Sequence, residues 1–161
     1  LTAEEMSSWI IKKFHGFRTG SVEWGVAQSD PIKSDIDIVI PIQLDMCKFK
    51  DYDFGLACNE RRWKIGEGPR SHSATGLGEE FGIRIHSIDR PHDEPSIDLI
   101  IVTVDNFESW KLATVALSTM CKESNAVKSA LFIKQTRVTV FELLRASIKT
   151  TLMLGYANNE Y

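Results

Sequence analysis

The chain has 161 residues, 43% hydrophobic and 25% charged, with a formal charge of −3. That composition excludes a disordered or fibrous chain and suits one domain over 1–161 that buries a core without disulfide or metal. Net acidity argues against a protein that coats nucleic acid non-specifically. The three cysteines, Cys47, Cys58 and Cys121, are widely spaced and lack a CxxC pair, which fits buried thiols in a reducing compartment. No apolar run reaches membrane-spanning length, so the expected address is cytoplasmic.

Thr2 and Glu5 have capping-box spacing, and Met6, Trp9, Ile10, Lys13 and Phe14 recur at helical period, predicting a helix over about residues 3–15. Phe17-Arg18-Thr19 reads as a short strand that Gly20-Ser21 breaks. Asp35 to Ile42 alternates, with Ile36, Ile38 and Ile40 on one face. From Asp51 to Gly78 charges and glycines dominate, predicting an irregular, mobile excursion over about 51–80 with room for short strands or a helix.

Phe81 to Ile88 and Ser96 to Val104 read as adjacent antiparallel strands. Asp105 or Asn106 is a candidate cap for a helix holding Trp110, Ala113, Leu117 and Met120. A longer helix follows with Val138, Phe141, Leu144, Ile148 and Leu152, so the region of about 106–155 is helical. This order predicts an α+β fold, a mixed sheet with flanking and C-terminal helices.

In Ser34-Asp35-Ile36-Asp37 the two aspartates project from one strand face while the isoleucines enter the core. Two like charges side by side raise the energy of the fold unless something compensates, and magnesium does so naturally because it takes one or two carboxylates and completes its shell with phosphate oxygens. Asp98, an acid amid β-formers in Ser96-Ile97-Asp98-Leu99, supplies a third carboxylate if its strand lies beside the first. Gly20-Ser21, with thirteen residues before Asp35, offers backbone N–H groups that phosphate can approach closely.

Together Gly20-Ser21, Gly25, Ser34-Asp35-Ile36-Asp37 and Asp98 resemble the nucleotidyltransferase superfamily related to DNA polymerase beta. Trp110-Lys111-Leu112-Ala113-Thr114 and the stretch from Arg137 to Arg145 are similar to helices of its small bacterial and phage-type members. One departure is Val22-Glu23, where many members carry arginine directly after Gly-Ser.

The resemblance implies transfer of a nucleoside monophosphate from a nucleoside triphosphate to an acceptor hydroxyl. It implies Asp35, Asp37 and Asp98 as ligands of two Mg2+ ions, Mn2+ substituting, with Asp98 nearest the attacking hydroxyl. Gly20, Ser21, Ser34 and Lys33 would bind the nucleotide, and Lys111, Lys134 or Arg137 could neutralise phosphate. The acceptor stays open among a transfer RNA end, a protein side chain and a small molecule, with recognition by the 51–80 excursion or a partner protein.

Blander readings apply elsewhere. An Asp-x-Asp pair alone is usually a solvated strand face; His72, His86 and His92 lack zinc-site spacing. Arg61, Arg62, Lys64 and Arg70 read as a solvated basic run, and Trp110, Leu117 and Phe141 as helix core. A non-catalytic nucleotide- or partner-binding module of toxin–antitoxin type is the alternative, and a metal-dependent nuclease ranks third because it needs no Gly-Ser at this distance.

Overall fold

The computed structural model describes residues 1–27, 34–42, 52–66 and 80–159. Lys33, Cys47, Arg70, His72 and much of the 51–80 excursion lie outside these described residues.

The first helix, α1 (Ala3–Phe14), is capped by Thr2, whose hydroxyl accepts from the Glu5 amide at 3.2 Å. Glu4 and Glu5 sit in its first turn and Lys12 and Lys13 in its last, each matching the helix dipole. Strand β1 (Phe17–Thr19) runs into the short helix α2 (Gly20–Trp24), which stops at Gly25 in the left-handed conformation. Strand β2 (Ile36–Pro41) carries the Asp-x-Asp segment.

Within the stretch read as irregular, Tyr52–Glu60 forms helix α3 and Trp63–Ile65 forms strand β3. These are the helix and short strand for which the stretch has room, and burial fixes their place: Phe54 and Cys58 enter the core, Phe54 meets Trp9 and Phe14, and Trp63 is fully buried. Charged neighbours masked these few apolar positions. Strands β4 (Glu80–Ser87) and β5 (Ile97–Val102) follow, then α4 (Val104–Glu123), α5 (Asn125–Leu131) and α6 (Lys134–Asn159).

One mixed sheet has the order β1-β2-β5-β4-β3. Among the described residues only the β2–β5 pair is parallel; the others are antiparallel, including β4 with β5. All six residues of β5 are buried, as expected of a central strand covered on both faces.

Ile36, Ile38, Ile40, Ile97, Leu99 and Ile101 share one cluster with Met6 and Ile10 of α1 and with Phe54 and Cys58 of α3. Each fully buried isoleucine contributes roughly 1.5–3 kcal/mol. Val39, Ile100 and Val102 face the other way, under Trp110 and Leu117 of α4 and Phe141 of α6.

The cap of α4 is Thr103 rather than Asp105 or Asn106. Strand β5 ends at Val102, so the chain turns earlier, leaving Asp105 in the first helical turn and Asn106 buried. Trp110, Ala113 and Thr114 all face inward. Thr114 joins Thr19 by a hydroxyl contact of 2.8 Å, and its carbonyl accepts from Trp24 Nε1 at 3.1 Å, so α4 holds α2 in place. Among the described residues no helix is long and apolar enough to cross a membrane.

Candidate active site

The face of the sheet opposite the isoleucine core bears the acids. Alternation places Asp37 on the side of Val39, and the parallel register sets Asp37 beside Asp98. Asp35 lies one residue before β2, on the same side as Asp37. Here the strand pairing decides what spacing left open: residues 61 positions apart become neighbours because β2 and β5 are adjacent.

Gly20 follows β1 with a φ of +87°, a conformation open to glycine, and a β-carbon there would collide with Asp37 Oδ2. The Gly-Ser turn is thereby packed against the central aspartate.

A pocket of about 690 Å3 opens at this point. Its walls include Gly20, Ser21, Ser34, Asp35, Asp37 and Asp98, together with Arg84, Lys134 and Arg137. Trp24, Ile100, Trp110, Val138 and Phe141 form an apolar side next to the charged one. Six of the seven residues singled out for metal or nucleotide thus line one cavity, and the seventh, Lys33, lies outside the described residues. Lys111 is exposed on α4 and is not among the lining residues.

The basic run is placed elsewhere. Arg61 stacks 3.9 Å from the Trp9 ring centroid, Arg62 pairs with Asp89 at 2.8 Å, and Lys64 is exposed. His86 Nδ1 lies 3.0 Å from Ser96 Oγ, a hydrogen-bonded histidine beside the site. Cys58 and Cys121 are buried free thiols; burial pushes Cys58 up to about 12. Trp110 and Phe141 belong both to the core and to the pocket wall.

Electrostatics around Asp35 and Asp37 are unfavourable to charge. Burial, followed by the negative charges of Asp98 and Asp35, pushes Asp37 up to about 7, against the opposing pull of Arg84 and Arg137. Burial and the Asp98 charge also raise Asp35, with Arg84 and His86 acting the other way. Burial lowers the pKa of Arg137, which Asp37 partly offsets. An arginine stays charged under such a shift, so Arg137 still faces the pocket as a cation.

Arg84 is the residue that the sequence reading passed over. It stands directly across from Asp98 in the β4–β5 register. Its Nε donates to Asp98 Oδ1 at 2.7 Å, and its Nη2 donates to Asp98 Oδ2 at 3.0 Å and to Asp35 Oδ2 at 2.9 Å. Its signal in the sequence is an arginine between Ile83 and Ile85, pointing to the same sheet face as Asp98 once β4 and β5 pair.

No family model, curated protein or solved structure matches this chain. The chemistry of the site therefore stands on its own residues.

Three carboxylates with no sulfur or imidazole ligand form a donor set for a hard cation such as Mg2+ or Mn2+. Burial raises Asp35 and Asp37 most, and both that cost and the added repulsion from neighbouring carboxylates are of a kind that a divalent cation relieves. As the side chains stand, no group of three acidic, histidine or cysteine residues among the described residues is arranged to hold an ion. Arg84 instead neutralises Asp35 and Asp98. The donors fit a divalent cation by type, and the guanidinium would have to yield for all three to reach one.

Proposed function

We propose that this protein is a nucleotidyltransferase with a polymerase beta-like catalytic fold. The observation that carries the reading is Asp37 paired in register with Asp98, pressed against Gly20, in one pocket with Asp35 and Ser21. A strand pair that sets two acids together on a solvent-reaching face, at the cost of mutual repulsion, is unusual without a ligand that compensates.

Asp35, Asp37 and Asp98 would hold the divalent ions. Bound there, such ions supply charge neutralisation for the attacking and leaving oxygens. The remaining work is positioning by the chain itself. Ser21 and the Gly20 backbone hold phosphate oxygens, with Ser34 beside them. Lys134 and Arg137 offset phosphate charge from α6. Asp98 accepts the proton of the acceptor hydroxyl, a role that needs hydrogen-bond reach in the bound complex. The apolar side formed by Ile100, Val138 and the exposed margins of Trp24, Trp110 and Phe141 offers a nucleobase an apolar wall.

A second reading, a non-catalytic nucleotide- or partner-binding module, is favoured by the Arg84 pairing, which satisfies two of the three carboxylates without metal. The acceptor class, whether an RNA end, a protein side chain or a small molecule, is a matter for experiment.

The test is incubation with each radiolabelled nucleoside triphosphate and Mg2+ or Mn2+, with and without cell RNA and protein, beside Asp37→Asn. Metal-dependent label transfer by the wild type alone is the expected result, and the labelled species identifies the acceptor. Nucleotide binding without transfer to any acceptor would favour the binding module.

A further inference from the structure

Arg84 holds Asp35 and Asp98 by three hydrogen bonds, and nothing in the nucleotidyl-transfer reading requires it to do so. The guanidinium is permanently charged, and its planar fork matches a carboxylate edge, so the Asp98 contact is two-pronged. It spans both acids because β4 sets residue 84 across from Asp98, while Asp35 lies just before the neighbouring strand. The side chains of Arg84 and Asp35 are 35% and 37% exposed, so the guanidinium can leave its partners and enter the open pocket without disturbing the core.

Four charged groups make the balance clear. Asp35, Asp37 and Asp98 carry carboxylates, and Arg84 supplies the one cation hydrogen-bonded to any two of them among the described residues. Arg137 and Lys134 reach the pocket from α6, yet Arg137 donates to the Leu131 carbonyl at 3.0 Å and is not bonded to Asp35 or Asp98.

We propose that Arg84 is a resident counter-ion that competes with divalent metal for Asp35 and Asp98, so that it sets how much metal the site needs. This rests on the nucleotidyltransferase reading, which makes those aspartates metal ligands. Arg84 is a positioning residue: in the metal-free protein it keeps the two acids in place, and metal entry requires it to release them. A site with this device binds metal more weakly than its carboxylate count suggests, and its stability without metal depends on the arginine.

Mn2+ binding to the full chain, followed by loss of the free-ion electron paramagnetic resonance signal, tests this directly. Arg84→Met is expected to bind Mn2+ about fivefold more tightly than wild type, the factor that corresponds to sparing the metal the upper range of one partly exposed ion pair. Arg84→Lys keeps the charge but loses the fork and is expected to fall between the two. Arg137→Met removes the same charge from the same pocket without freeing a carboxylate, and is expected to change affinity by less than half as much. Unchanged or weaker Mn2+ binding in Arg84→Met overturns the proposal, as does an equal gain in Arg137→Met. Should Arg84→Met not fold, an unchanged affinity in Arg84→Lys overturns it instead. Label transfer by the wild type with Mn2+, alongside an affinity that Arg84 does not influence, would remove this inference and leave the catalytic reading standing. Absence of both Mn2+ binding and transfer removes the two together.

Discussion

The carboxylate of Asp37 lies where a side chain on Gly20 would have to begin. A β-carbon at residue 20 meets Oδ2, Cγ and Cβ of Asp37, and the backbone there has a φ of +87°. Gly20→Ala is therefore expected to cost stability through backbone strain of about 1–2 kcal/mol, and to displace Asp37. A displacement near 1 Å can lower turnover by about a hundredfold. Gly25→Ala serves as the comparison: its φ is +71°, but the nearest atoms are 3.9 Å away, on Lys128. It is expected to lose stability alone. Equal turnover in Gly20→Ala and Gly25→Ala would show that the contact with Asp37 is unimportant.

Asp37 also makes the metal-free protein sensitive to pH. Its folded pKa is raised from 3.8 to about 7, so the folded state binds the proton more strongly than the unfolded chain. The resulting stability is fully present below the unfolded value and is lost as pH rises through about 7. Glu4 and Asp89, whose pKa values are lowered by Arg18 and Arg62, act in the opposite sense at lower pH, so the comparison with a variant isolates Asp37. Urea denaturation of Asp37→Asn without metal is expected to show a flatter pH dependence from about pH 4 to about pH 7, and higher stability than wild type above that range. Parallel curves for the two proteins would contradict the raised pKa.

Asp98→Asn separates the proposed chemistry of Asp98, as metal ligand and proton acceptor together, from the fold. The amide keeps the shape of the side chain but cannot accept a proton from a hydroxyl, and a lost general base lowers turnover by about 10²–10⁴-fold. Circular dichroism should show an unchanged fold, because Asp98 lies at the pocket edge of a strand whose other residues remain buried. Turnover within threefold of wild type would exclude Asp98 from the chemistry.

Away from the carboxylates, Glu80 and Arg145 form a buried pair at 2.6 Å, and Trp110 Nε1 donates to the same glutamate oxygen at 2.9 Å. The glutamate side chain is 1% exposed. Arg145→Met strands that carboxylate and is expected to cost about 3–5 kcal/mol. The double variant Glu80→Gln with Arg145→Met is expected to be less destabilised than Arg145→Met alone, because the fully buried charge of Glu80 is gone and only the partly exposed Glu142, which also pairs with Arg145 at 2.8 Å, is left without its partner. Denaturant midpoints for the two single variants and the double variant measure the coupling, and additive losses would refute the pairing as the cause.

Period-two alternation is local, and this is why so much of the strand pattern was legible. Ile36, Ile38 and Ile40 define the core face of β2, so Asp35 and Asp37 must share the other. The capping pair Thr2 and Glu5 and the helical spacing of Val138, Phe141, Leu144 and Ile148 are likewise local signals. In the 51–80 stretch few apolar residues mark the elements, and α3 and β3 owe their place to the burial of Phe54, Cys58 and Trp63 against distant parts of the chain.

By itself, then, the sequence determined an α+β chain, the face on which its aspartates sit, and the thirteen-residue spacing between Ser21 and Asp35. Only the tertiary structure decided that β2 lies parallel to β5, that Arg84 comes to rest between Asp35 and Asp98, and that Glu80 meets Arg145. The physical reason is that side-chain direction follows from dihedral angles within a few residues, whereas register between strands is set by the burial of whole faces. Residues 14 and 65 positions apart in sequence meet because those faces find one partner in the folded core.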